Sequence, residues 1–440
     1  MGTWPKNPVI YEINTWVWLH ELKQKLHRPV TLGSVPAEEW EALASTEADA
    51  VWFMGVWERS PVGTRIARSH PALQAEYRKA LPDYAPEDVV GSPYCVHRYE
   101  VDGRLGGGQG LAEARAELAT RGLRLILDFV PNHVATDHPW VYEFPKYFIQ
   151  GNGEDLVGVP NDFFVADGKI IACGRDPYFP PWTDTAQVNA FHPGLRRAVV
   201  ETVSSIAERC DGVRCDMAML VISSIFQKTW GDRAGPKPDS EYWRELIGAV
   251  RETHPDFLFV AEAYWDLEWD LMQQGFDYCY DKSLYDRLLS RDAAVVRAHL
   301  WADLAYQNKL ARFLENHDEP RVLSFLEAER LPAYAAVAFL SNLVNSGVGR
   351  GLQALKRSED AVAMMGVAVA RYKINGRAFK LHEVSRFEQV DGQLAAFAKG
   401  TPALRLNTVG WTTNEWQRFL ENLPSPVSLP PPSTSSTSAT

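Results

Sequence analysis

Short apolar runs alternate with amphipathic stretches over most of the chain. Residues 9–19 (VIYEINTWVWL) are expected to form a strand, and residues 36–45 (PAEEWEALAS) a helix with its proline at the start. Residues 48–57 (ADAVWFMGVW) form a continuous apolar run, as in strands buried on both faces of a parallel sheet. The alternation continues with a helix at 110–122 closed by Gly122, a strand at 123–130, a helix at 194–210 and a short strand at 211–219. A helix at 241–255, a strand at 257–265, a helix at 294–310 and a strand at 311–318 complete it. Repeated strand–helix units with short connections imply an α/β fold, a (β/α)8 barrel or a large doubly wound sheet.

Two regions break the rhythm. Residues 134–193 are rich in proline, glycine, aspartate and aromatics, and lack a strong helical period. They are expected to form a small inserted domain, because an excursion of that length after a barrel strand usually serves function. The barrel is then assigned to 1–133 and 194–343. After about Leu343 the alternation is lost. Residues 344–423 form a divergent C-terminal region, in which 371–400 could supply two or three strands around Asn-Gly and Asp-Gly turns. The tail 424–440, rich in proline, serine and threonine, is expected to be disordered.

Composition narrows the function classes. The 440 residues carry 45 Lys+Arg against 56 Asp+Glu, and this acidic balance argues against a nucleic-acid partner. The longest clean apolar run, 361–370, is too short to span a bilayer, so no membrane partner is expected. Cys95, Cys173, Cys210, Cys215 and Cys279 are odd in number and widely spaced. That fits neither a disulfide framework nor a zinc site, and favours a reducing compartment. The N-terminus has no basic stretch leading into an apolar core and no N-x-S/T sequon occurs, so a cytoplasmic location is expected. Fifteen tryptophans, many beside proline, aspartate or glycine, suit either sugar rings or plain core filling. The Gly-rich GRLGGGQG (103–110) lacks GK[ST] and is expected to be a loop into a helix rather than a phosphate cradle.

Four segments place acidic or histidine residues where a strand is expected to end: DFVPNH (128–133), GVRCD (212–216), VAEAYW (260–265) and FLENHD (313–318). In a barrel these ends converge on one face, so Asp128, Asp216, Glu262 and Asp318 are expected to meet. Crowded carboxylates repel, a cost that only function or a cation would justify. Arg214, two residues before Asp216, points to the same side of a strand and would keep that carboxylate ionised, as a nucleophile requires. Glu262, flanked by Val260, Ala261, Ala263, Tyr264 and Trp265, would gain the raised pKa of a general acid from an apolar collar. The plainer alternative pairs it with a Lys or Arg elsewhere in the chain.

In order and position these four segments resemble the signature regions of the α-amylase family of glycoside hydrolases. The resemblance extends from about residue 8 to residue 343. It implies a (β/α)8 barrel with a domain inserted after the third strand, and a retaining mechanism on α-linked glucosides or α-glucans. Asp216 would be the nucleophile, Glu262 the acid/base, and Asp318 the residue that holds sugar hydroxyls and stabilises the transition state. Arg214 would orient Asp216. His133 and His317 would bond the same sugar ring, Asp128 would belong to the substrate-binding set, and Tyr94, within GSPYCVHRYEVDGRLGG (91–107), would stack on it. The chemistry requires no cofactor. Asn132 matches a position that binds a structural calcium in many relatives, and Asp162, Asp176 and Asp184 could add oxygen ligands. HPW (138–140) and DPYFPPW (176–182) could line subsites for the leaving sugar or simply pack the insertion.

The chain also departs from the family pattern. Cys95 and Arg98 replace acidic residues found in many relatives. Met217, Ala218 and Met219 replace the Lys-His pair of endo-acting amylases. After Leu343 no eighth strand is evident. Either a reading-frame change near residue 344 removed the closing unit, or 361–370 supplies the strand in a divergent closure. The expectation is therefore a glycoside hydrolase on α-glucans. Transglycosylation to a glucan or phosphate acceptor, and a catalytically impaired glucan-binding relative, are the alternatives.

Overall fold

The computed structural model describes residues 3–320 apart from Glu47, Pro82 and Arg291, a few isolated positions up to Ala338, and two short strands near residue 375. The chain divides into two units. The first is Met1–Lys282 with Lys309–Ala311; the second is Ser283–Asn308 with the residues from Arg312 onward.

The first unit is built on seven strands: β1 (Ile10–Asn14), β2 (Ala50–Met54), β3 (Arg124–Phe129), β4 (Gly212–Cys215), β5 (Leu258–Ala261), β6 (Tyr278–Tyr280) and β7 (Leu310–Ala311). Each pairs in parallel with the next in chain order. This is the strand order of a (β/α)8 barrel, seven of whose strands lie in the described residues. Strands β2, β4 and β5 are buried at every position; β2 and β5 accordingly read as unbroken apolar runs, whereas β4 carries the buried Arg214. Helices Gly107–Thr120, Pro193–Ala207 and Tyr242–Thr253 precede β3, β4 and β5. Their buried faces carry Leu111 and Leu118, Val199 and Val203, and Trp243 and Val250. Gly122, with φ of 77°, takes the left-handed turn that ends the first of these helices, and the Leu123 N–H reaches back to Leu118 O at 2.9 Å.

Several expected elements are shorter than the apolar runs suggest. The expected strand 9–19 stops at Asn14, whose side chain caps a helix over Thr15–Leu26 by accepting the Val17 N–H. The run 48–57 breaks at Gly55, where φ of 77° turns the chain, and Trp57–Arg59 pairs antiparallel with Val96–Val101 instead. The expected helix 294–310 is two pieces, Ala293–Leu300 and Leu304–Gln307, the second capped by Asp303. Of the expected strand 311–318 only Leu310–Ala311 is extended and paired.

Between β3 and the helix before β4, a four-stranded antiparallel sheet forms from His133–Ala135, Trp182–Gln187, Lys169–Gly174 and Phe163–Ala166, in that spatial order. Near the C-terminus Lys373–Ile374 pairs antiparallel with Arg377–Ala378, on either side of the Asn-Gly dipeptide. The rest of the divergent region, both versions of barrel closure and the Pro/Ser/Thr tail lie outside the described residues.

Candidate active site

Asp216 follows β4 directly and Glu262 follows β5, so parallel pairing puts them side by side. The register matches Cys215 with Ala261, and the Glu262 N–H donates to Cys215 O at 3.0 Å. Both carboxylates are buried, and one guanidinium spans them. Arg214 Nη1 lies 2.7 Å from Asp216 Oδ1, and Arg214 Nη2 lies 2.8 Å from Glu262 Oε2. Three aromatic faces enclose that cation, with Tyr94, Trp52 and Tyr280 centroids 5.0, 5.3 and 5.7 Å from it. Burial works against the charge on Arg214. Glu262 first, then Tyr94, Tyr280 and Asp216, outweigh it and hold the guanidinium well above its ordinary range.

Glu262 is therefore not set in an apolar collar. Its neighbours along the chain are apolar, but its oxygens meet polar donors. Besides Arg214, Oε2 accepts the Met217 N–H at 2.6 Å, and Oε1 accepts the Tyr264 hydroxyl at 2.7 Å. The Met217 N–H is aimed there because Met217 adopts a left-handed backbone (φ 40°), a conformation rare outside glycine. The plainer expectation, a Glu paired to an arginine elsewhere in the chain, describes this carboxylate better.

Asp128 serves a different end. With no exposed surface, it accepts Trp52 Nε1 at 3.0 Å on one oxygen and the Gly55 N–H at 2.7 Å on the other, while its carbonyl accepts Trp57 Nε1 at 2.7 Å. It ties the turn after β2 to β3, and so fixes the Trp52 ring that faces Arg214. His133 is buried with its ring 5.1 Å from that of Trp182, and burial lowers its pKa to about 4, partly offset by a hydrogen bond with the Tyr94 backbone. It is a neutral imidazole at neutral pH. Burial also pushes the Tyr94 hydroxyl well above its usual range. In the second unit, His317 Nε2 lies 3.1 Å from Asp318 Oδ2, and Asn316 Oδ1 accepts the N–H groups of Asp318 and Glu319 at 3.0 and 2.9 Å.

Residues 91–282 match the family described as "Alpha amylase, catalytic domain". That span holds Tyr94, Asp128, His133, Arg214, Asp216 and Glu262. This part of the chain is similar to the catalytic domain of the α-amylase family. Among its curated relatives, the α-amylase MalA of Haloarcula japonica is 23% identical over 344 residues, covering 76% of this chain and 42% of that protein. The α-1,4-glucan:maltose-1-phosphate maltosyltransferase of Cereibacter sphaeroides is 28% identical over 188 residues, covering 41% of this chain and 23% of the relative. The chain thus spans less than half the length of these curated relatives. The crystal structure of an α-amylase from Lactobacillus plantarum shares the fold, with a TM-score of 0.51 at 18% identity over 76% of this chain and 69% of that one.

The surroundings of Asn132 are poor for calcium. Gln187 Nε2 donates to Asn132 Oδ1 at 3.0 Å and to its carbonyl at 2.9 Å, and Asn132 Nδ2 faces Gln187 Oε1 at 3.2 Å. Asp162 is paired with Arg175 at 2.8 Å, and Asp176 accepts the Tyr178 and Phe179 N–H groups. Asp184 sits in a buried setting that raises its pKa. Among the described residues no three acidic, histidine or cysteine side chains gather as a metal site, so this donor set does not fit the ion.

The sequence reading missed Trp52, Gly55, Tyr264 and Tyr280. Tyr264 was recoverable, because it stands two residues after Glu262 on an extended segment. Tyr280 was not, since β6 is three residues long and carries no pattern.

Proposed function

We propose that the chain is a retaining glycosidase or transglycosidase acting on α-linked glucosides of the α-glucan class. The observation that carries this is Arg214 bridging two buried carboxylates at adjacent strand ends. A retaining pair needs its carboxyl groups about 5–5.5 Å apart, a separation one guanidinium can span. Asp216, held at 2.7 Å by Arg214, attacks the anomeric carbon and forms a β-glycosyl ester. Glu262 gives its proton to the leaving oxygen, then takes one from the attacking water or sugar hydroxyl. His133 and Tyr94 contact the sugar ring, and the hydroxyl-holding roles of Asp318 and His317 rest on the family resemblance alone. No step needs a metal or cofactor. The relatives' names include an amylase and a maltosyltransferase, which supports keeping hydrolysis and transfer together, since the two differ only in what attacks the ester. The five cysteines are all buried and free, which supports a cytoplasmic location. No helix among the described residues is long and apolar enough to cross a membrane.

The test is incubation with 4-nitrophenyl α-maltoside, with and without maltose or phosphate, following phenol release and sugar products. Turnover that Glu262→Gln and Asp216→Asn each abolish is expected, and the product pattern identifies the acceptor. Turnover that survives Asp216→Asn would refute the mechanism. A folded protein with no turnover would support the impaired, glucan-binding alternative.

A further inference from the structure

The two oxygens of Glu262 have unequal surroundings. Oε2 receives the Met217 N–H at 2.6 Å and lies 2.8 Å from the charged Arg214 Nη2, a cation that disfavours a proton on that oxygen. Oε1 receives the Tyr264 hydroxyl at 2.7 Å and keeps a second direction for a proton. We propose that Tyr264 is the positioning residue of the acid/base, selecting Oε1 as the oxygen that carries the transferable proton. The inference rests on the retaining mechanism proposed above. In the first step the Oε1–H bond breaks and the proton passes to the glycosidic oxygen. That oxygen also takes the electron pair of the bond to the anomeric carbon. Negative charge then develops on Oε1, and the Tyr264 hydroxyl, keeping its own proton, donates to it more strongly.

The backbone gives a second, independent reason. Trp265 and Asp266, immediately after Tyr264, both adopt left-handed conformations, with φ of 63° and 58°. Consecutive non-glycine residues of this kind persist only where their surroundings hold them. The Leu267 N–H closes the turn onto Tyr264 O at 3.3 Å. The Trp265 ring packs edge-on against Tyr178 of the inserted region, centroids 4.8 Å apart, and Lys228 Nζ donates to the Tyr178 hydroxyl at 3.1 Å. Segments following β3, β4 and β5 thus meet to hold the turn that aims Tyr264.

The charged and titratable groups facing Glu262 are Arg214, Tyr94, Tyr280 and, across Arg214, Asp216. Burial holds both phenols neutral, and the carboxylates keep Arg214 charged.

The experiment compares wild type and Tyr264→Phe on maltoheptaose, whose leaving oxygen needs a proton, and on α-maltosyl fluoride, whose leaving group does not. The expected result is a kcat on maltoheptaose lower by roughly 10- to 100-fold, as for a lost hydrogen bond to a charged group. KM should hold, and so should turnover of the fluoride, within about twofold. Equal losses on both substrates would reduce Tyr264 to a structural role and overturn the inference, as would a loss confined to KM. Wild type inactive on both substrates would overturn the mechanism itself and this inference with it.

Discussion

At the scale of single residues, the site is organised around one buried cation. Arg214 neutralises Asp216 and Glu262 together, so removing it strands two buried carboxylates. Arg214→Ala should destabilise the protein by about 3–5 kcal/mol, the usual cost of breaking a buried pair. Chemical denaturation measures this, and a change under about 1 kcal/mol would show that the carboxylates need no such partner. Asp128→Asn should cost about 1–3 kcal/mol, because an amide that replaces the carboxylate can turn only one acceptor towards Trp52 Nε1 and the Gly55 N–H. An unchanged unfolding midpoint would count against its role as an anchor. Arg214 beside Asp216 was legible two positions away on an extended strand. That Arg214 also reaches Glu262 was not, because it depends on the register between β4 and β5.

At the scale of elements, apolar runs located the strands but not their ends. Asn14 and Gly55 stop two of them with a side-chain cap and a left-handed turn, signals weaker in sequence than the apolar residues around them. The inserted sheet was legible only as a departure from rhythm, because its pairing with the segment after β3 is non-local. Its attachment runs through Gln187, which also accepts the Arg175 N–H at 3.2 Å. Gln187→Ala should therefore cost about 1–3 kcal/mol through the buried groups it leaves unpaired. Since an amide occupies the ground beside Asn132, chelation should leave the thermal midpoint of wild type unchanged. A midpoint that falls with EDTA and recovers with calcium would contradict this.

At the scale of the whole molecule, parallel order in chain sequence was readable from the repeated units, since short connections allow little else. Barrel closure was not, because the residues after Leu343 carry no repeat to extend. Two buried histidines make stability depend on pH. Burial lowers His133 to about 4 and His138 to about 3, against about 6.5 in an unfolded chain. The unfolded state then binds more protons below pH ~6.5, so the stability these groups contribute is present above that value and lost as pH falls towards 4. Thermal midpoints should drop over that interval. They should drop less steeply in His138→Asn, which keeps an acceptor for the Trp140 N–H. Equal slopes would show that His138 does not contribute.

The central claim is that Asp216 attacks the sugar while Glu262 moves the proton. The most direct measurement is intact-protein and peptide mass spectrometry of Glu262→Gln after exposure to α-maltosyl fluoride. That variant can form the ester without an acid but is slow to resolve it. The account predicts a maltosyl adduct on the peptide containing Asp216, absent when Asp216 is also changed to Asn. An adduct on another residue, or free maltose released at the wild-type rate with no adduct, would contradict it.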